Sequence, residues 1–212
     1  MIGSDCAIIA RTASLELGIP LQLAVTSSPA TVCDLSPAER TALGEITTRQ
    51  RALSWLRGRA ALKVLLGELG DTDTARIRFP NPRYSLTHSG EVAVAAACRS
   101  GDTVGLGIDL EWDRPAPNAA ARFYLTAAEA RWVASQPEAV RGRELLRLWT
   151  IKEALFKADP CNDQTVLSDY APGRPQDHGG ICETATVELR YLCVRLCGGF
   201  MSVAVAARRS PR

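Results

Sequence analysis

Lysine is almost missing from this sequence: of 25 Lys and Arg residues, only Lys63, Lys152 and Lys157 are lysines. Histidine occurs only at positions 88 and 178. The seven cysteines (Cys6, Cys33, Cys98, Cys161, Cys182, Cys193, Cys197) are odd in number and include no Cys-x-x-Cys pair. Neither a closed disulfide framework nor a four-ligand zinc site is therefore indicated. The cysteines read as small, reduced core residues, which points to a cytoplasmic setting. No apolar run approaches the ~20 residues of a membrane helix. The opening stretch MIGSDCAIIARTAS lacks the basic start and long apolar core of a signal peptide. The formal net charge is +2, and no run of five like charges occurs. That leaves no stripe for nucleic acid and no tail for an anionic membrane.

What remains is a globular composition over 212 residues, 46% hydrophobic, enough for one domain or two small ones. The stretch Leu145 to Ala158, LLRLWTIKEALFKA, contains no Gly or Pro. It predicts an amphipathic helix with Leu148, Ile151 and Leu155 on its buried stripe. Glu153 and Lys157 are four apart and share a face. Such a pair is commonly a solvated ion pair. Two of the three lysines sit here, however, and an ammonium is a compact charge that can approach phosphate and titrate.

Around this helix the sequence predicts one or two short strands in Leu21 to Cys33. A helix follows, opened by Ser36 and Pro37 with Glu39 in its first turn, and a second runs from Leu53 to Leu69, ending near Gly70. Strands are expected over Tyr84 to Ala97, broken by a turn at Ser89-Gly90, and over Val104 to Trp112. Thr126 caps another helix. Asp159 to Gly180 reads as a long loop, and Thr186 to Cys197 and Phe200 to Ala207 pair through Gly198-Gly199. A faint repeat relates Trp55-x-x-x-Arg59-Ala-x-Leu62-Lys63 to Trp149-x-x-x-Glu153-Ala-x-Phe156-Lys157. Val92-Ala-Val-Ala-Ala96 likewise returns as Val203-Ala-Val-Ala-Ala207. Both matches occur in the same order, which predicts two similar halves meeting near Ser100 to Thr103.

The strand Val104-Gly-Leu-Gly-Ile-Asp-Leu-Glu-Trp112 alternates with period two. Val104, Leu106, Ile108, Leu110 and Trp112 form an apolar face, and Gly105, Gly107, Asp109 and Glu111 form the other. Asp109 and Glu111 thus project from one face, about 7 Å apart, behind two glycines expected to leave that face open to a ligand. A solvent-exposed polar face would explain the pattern. So would a hard-cation site, which takes one or more carboxylates and leaves positions for water and phosphate, with Glu153 as a third acid. In Ser85-Leu-Thr-His-Ser-Gly90, His88 is either an ordinary satisfied histidine or, with the hydroxyls, a phosphate or ribose contact.

Taken together, Ser85-Leu-Thr-His-Ser-Gly90, Gly107-Ile-Asp-Leu-Glu111 and Trp149-Thr-Ile-Lys-Glu-Ala-Leu-Phe-Lys-Ala158 resemble the 4′-phosphopantetheinyl transferase superfamily. The duplicated layout is similar to its monomeric, double-length type, named for activating surfactin synthetase. The resemblance implies an α+β fold of two similar α/β halves, residues 1–102 and 103–212, with the active site in the cleft between them. It implies transfer of 4′-phosphopantetheine from coenzyme A to a serine of an apo acyl- or peptidyl-carrier protein in polyketide, nonribosomal-peptide or fatty-acid biosynthesis. The reaction would depend on Mg²⁺ and release adenosine 3′,5′-bisphosphate. By motif position, Asp109 and Glu111 would hold the metal, and Glu153, the third acid, would either ligate it as well or take the serine proton, directly or through water. Lys157 would steady the pyrophosphate. Arg40, Arg83, Ser85, Thr87 and His88 would contact coenzyme A. The family often carries a Gly-Lys-Pro segment before the histidine, and here Phe79-Pro-Asn-Pro-Arg83-Tyr84 stands there, with Arg83 as the substitute. Two other readings are a different Mg²⁺-dependent phosphodiester hydrolase and a non-catalytic coenzyme A- or carrier-binding protein.

Overall fold

The computed structural model describes residues 2–70, 74, 77–112 and 120–208, with side chains from residue 6 onward. The fold is α+β, built on two antiparallel sheets with a helix packed on the outer face of each. The first sheet contains β1 (Leu21–Thr26), β2 (Tyr84–Ser89) and β3 (Val92–Cys98) in the order β1-β3-β2. The second contains β4 (Thr103–Trp112), β5 (Gly179–Glu183), β6 (Val187–Leu196) and β7 (Gly199–Arg208) in the order β4-β7-β6-β5. The helix α3 (Arg49–Glu68) lies in sequence between β1 and β2, and α6 (Glu138–Ala158) lies between β4 and β5. Setting β5 aside, the second sheet repeats the first strand for strand. The repeat in the sequence falls on equivalent elements, α3 with α6 and β3 with β7.

Period-two alternation in the strands generates these layers. Ala93, Ala95 and Ala97 of β3 face Leu62, Leu65 and Leu66 of α3. Val94, Ala96 and Cys98 turn the other way and join Leu106, Ile108 and Leu110 of β4 and Val203 of β7. Small alanines let α3 approach the sheet closely, while the branched side chains fill the space between the sheets. On the far side, Ile151, Ala154 and Leu155 of α6 pack on Leu189, Tyr191, Phe200 and Ala204. Val104, expected on the inter-sheet face, packs against the α6 cluster instead, because the β4–β7 register shifts between Thr103 and Gly105.

Four further helices are described: α1 (Ile2–Leu17), α2 (Pro37–Gly44) and the short pair α4 (Ala121–Tyr124) and α5 (Ala127–Ser135). The spacing of Cys6, Ile9, Ala13 and Leu17, all buried, seats α1 on β1 and the inter-sheet core. At the N-termini of α2 and α5 the same device recurs. Ser36 caps Glu39 and Thr126 caps Glu129, each in a capping box. Each glutamate then binds a lysine of a long helix, Glu39 with Lys63 at 2.9 Å and Glu129 with Lys152 at 3.0 Å.

The Glu129–Lys152 pair is completely buried, and Lys152 also donates to the carbonyls of Tyr170 and Leu167. Lys152 is therefore a structural residue, not a phosphate ligand. Together with the buried Arg147, which donates to the carbonyls of Pro175 and Asp177, it fastens the 159–180 loop onto α6. Breaking a buried pair strands a charge. Glu129→Ala is expected to cost about 3–5 kcal/mol, read as a lowered denaturant midpoint, and a double variant with Lys152→Met is expected to regain much of it.

Among the described residues no helix is long and apolar enough to cross a membrane. None of the seven cysteines is paired in a disulfide, and Cys33 and Cys197 are exposed while four of the others are buried. Burial pushes the thiols of Cys182 and Cys193 up to about 11 and about 12, so these two are inert core residues.

Candidate active site

Two glycines set the height of the site. A Cβ on Gly105 would lie 1.8 Å from the carbonyl oxygen of Ala158, and one on Gly107 would lie 1.9 Å from that of Ala154. The expectation that Gly105 and Gly107 leave their face open for a ligand is thus corrected. They admit the backbone of α6, which lies directly on β4. That contact carries Glu153 and Lys157 to the place where the same face of β4 presents Asp109 and Glu111.

Lys157 does not spend its charge on Glu153 one turn earlier. Its Nζ donates to Asp109 Oδ1 at 2.7 Å and to the carbonyl of Ile108 at 3.2 Å. Asp109 Oδ1 also accepts the hydroxyl of Thr87 at 3.1 Å. Among the described residues, its buried Oδ2 has no hydrogen-bond partner. Burial pushes the Asp109 carboxyl above its ordinary value, against the opposing pull of Lys157. Glu111, half-buried, accepts the hydroxyl of Ser89 at 3.0 Å. The Glu153 carboxyl is pushed up too, first by burial and then by the charges of Asp109 and Glu111, with Lys157 opposing.

Three carboxylates gather here, one with an orphaned buried oxygen and another held above its ordinary value in part by the charges of the other two, an arrangement short of positive charge. A hard divalent cation fits it by donor type. In these side-chain positions, no three His, Cys, Asp or Glu residues among those described close into a ready cage. Lys157 holds the position on Asp109 instead.

Beside the acids run two cavities. The larger, about 820 Å³, is lined among others by Arg51, Trp55, Arg59, Leu86 and His88. The smaller, about 310 Å³, is lined by Ser85, Lys157 and Asn162 together with Pro80. Phe79 and Leu86 line both, so the two adjoin. Their volumes fall in the range of small-molecule sites. His88 is exposed on β2 at the larger one.

Ser85 and Thr87 line the cavities but turn their hydroxyls onto β4, accepting the N–H groups of Ile108 and Leu110 at 3.0 Å each. Arg83 and Arg40 line neither cavity. Both are exposed, and Arg40 donates to the carbonyl of Leu35. Arg51 and Arg59 are the guanidinium groups that the structure brings to the larger cavity, and nothing in the sequence singled them out except the resemblance of Arg59 to Glu153 in the repeat. Arg59 stacks over Trp55 at 4.9 Å.

Comparison with known proteins agrees with this region. A model of the 4′-phosphopantetheinyl transferase superfamily matches residues 105–172, the span from β4 through α6 into the following loop. The chain is also similar to 4′-phosphopantetheinyl transferase psf-1 of Bacillus pumilus. The two are 28% identical over 164 residues, covering 73% of this chain and 68% of that protein. The acid-bearing stretch of β4 and the helix laid on its glycines both lie within the span that is similar to the 4′-phosphopantetheinyl transferase superfamily.

Proposed function

We propose that this protein transfers 4′-phosphopantetheine from coenzyme A to a serine of an apo acyl- or peptidyl-carrier protein, with Mg²⁺ held by Asp109, Glu111 and Glu153, and releases adenosine 3′,5′-bisphosphate. The observation that carries the reading is the gathering of these three acids with Lys157, which itself lines the smaller of the two adjoining cavities. In the reaction the serine oxygen forms a bond to the phosphorus that bears the pantetheine. The bond from that phosphorus to the bridging oxygen of the pyrophosphate breaks, and the electron pair leaves with adenosine 3′,5′-bisphosphate. Glu153, whose carboxyl is raised by burial, accepts the serine proton. Lys157 turns from Asp109 to the pyrophosphate oxygens as charge collects on them. Held by Asp109, Glu111 and Glu153, Mg²⁺ would supply charge neutralisation to the transfer.

The larger cavity suits the nucleotide end of coenzyme A. Arg51, Arg59 and His88 outnumber its acid Glu45, Trp55 offers a ring, and guanidinium recognises phosphate by paired donors. Arg59→Ala is expected to weaken coenzyme A binding by about 10–100-fold, the loss of a charge-assisted contact. Arg83→Ala is expected to leave affinity unchanged, and isothermal titration separates the two. Both strands of the site and its helix come from one chain, which supports a monomer with residues 1–102 and 103–212 as its two halves.

The test is incubation with coenzyme A, Mg²⁺ and several apo-carrier proteins, read by intact mass for the phosphopantetheine increment. The increment supports transfer. Coenzyme A binding without any increment would favour a non-catalytic binder, and phosphodiester cleavage without a carrier would favour a hydrolase.

A further inference from the structure

Strand β4 is the edge of its sheet, so the N–H groups on its outer side lack a strand partner. β2 supplies one in an unusual form, through side chains. Ser85, Thr87 and Ser89, alternate residues on one face of β2, accept the N–H groups of Ile108, Leu110 and Trp112 at 3.0, 3.0 and 3.4 Å. A hydroxyl that accepts in this way still has a single proton to give. Thr87 gives it to Asp109 at 3.1 Å, and Ser89 gives it to Glu111 at 3.0 Å. At the third rung the acid's place, one residue before Ile108, is taken by Gly107. The hydroxyls that meet an acid thus each tie one carboxylate oxygen to the backbone of the strand that bears it.

We propose that Thr87 and Ser89 are positioning residues for the two strand carboxylates, fixing one oxygen of each so that the acids meet a divalent cation in a preset orientation. This rests on the metal reading given above. With Thr87 and Lys157 both on Oδ1 of Asp109, the buried Oδ2 is the oxygen left without a donor among the described residues. Groups that orient ligating carboxylates commonly govern metal affinity by 10–100-fold.

The experiment titrates Mn²⁺, followed by electron paramagnetic resonance, into the full chain with coenzyme A present, alongside thermal melts. Thr87→Val is expected to weaken Mn²⁺ binding at least about 10-fold and Ser89→Ala several-fold, while Thr87→Ser stays close to the parent chain. In the transfer assay, the Mg²⁺ needed for half-maximal rate is expected to rise by the same factors with the KM for carrier protein unchanged. If Thr87→Val folds, melts lower and binds Mn²⁺ as the parent does, the hydroxyls only cap the edge of β4 and the proposal is overturned. Should that variant not fold, unchanged Mn²⁺ affinity in Ser89→Ala overturns it equally. Failure of the parent chain itself to bind Mn²⁺ overturns the metal reading and this inference with it.

Discussion

Replacing Gly107 by alanine is expected to cost the protein at least about 3 kcal/mol, enough to leave much of it insoluble or unfolded at 37 °C. The added Cβ would sit 1.9 Å from the carbonyl oxygen of Ala154 and within 3 Å of the Ala158 nitrogen. Both are backbone atoms of a helix whose other side is locked into the core by Ile151 and Leu155, so no side-chain rotation relieves the clash. Any variant that did fold would have moved α6 off β4, and with it Glu153 and Lys157 away from Asp109. Gly67→Ala is the control. That glycine lies in α3 with open space around it, and alanine there is expected to stabilise by about 0.5–1 kcal/mol through helix propensity. Denaturant midpoints of the two variants measure the contrast. Equal, small effects would mean that α6 does not ride on the glycines of β4.

Glu153→Gln is expected to separate activity from stability. Transfer falls by about a thousandfold or more, because the proton acceptor and a cation ligand are lost together. The metal-free protein, by contrast, is expected to melt a few degrees higher, at about 2–4 °C per kcal/mol for a chain of this size. Burial and the charges of Asp109 and Glu111 hold the Glu153 carboxyl above its ordinary value in the fold. Above that raised value the folded state therefore bears a charge that the unfolded chain carries more easily. The gain is full above the raised value, shrinks as the pH falls through the range between the raised and ordinary values, and vanishes below the ordinary glutamate value, where both states hold the proton. Transfer at a near-normal rate in this variant would remove Glu153 from the site. A melting point that fell would mean its charge is stabilised by a partner and not strained.

The elements were largely legible because their signals are local. Capping residues, the alternation of β4 and the glycine turns at Gly90 and Gly198, both with positive φ, each act over a few positions. The helix α1 had an equally local signal in Cys6, Ile9, Ala13 and Leu17, in a stretch that reads first for what a signal peptide would need. The site was legible in part. Asp109 and Glu111 share a face by strand geometry alone, and Glu153 and Lys157 share one by helix geometry.

Which partner each of those groups takes was a different kind of fact. Lys157 prefers the buried Asp109, 48 positions away, to the half-buried Glu153 beside it, because an ion pair shielded from water is electrostatically stronger than a solvated one. Lys152, the other lysine of α6, is consumed by Glu129. Arg83 stands where a family contact was expected and lies outside both cavities, while Arg51 and Arg59 line the larger one.

By itself the sequence determined which residues could share a face, through the periods of 2 and 3.6 that any strand or helix imposes, and with them the α+β architecture. Only the tertiary structure decided which faces meet. Two missing side chains at Gly105 and Gly107 let a helix lie on a strand, and three hydroxyls of β2 took the place of a neighbouring strand. Both depend on distances between segments that no local period encodes.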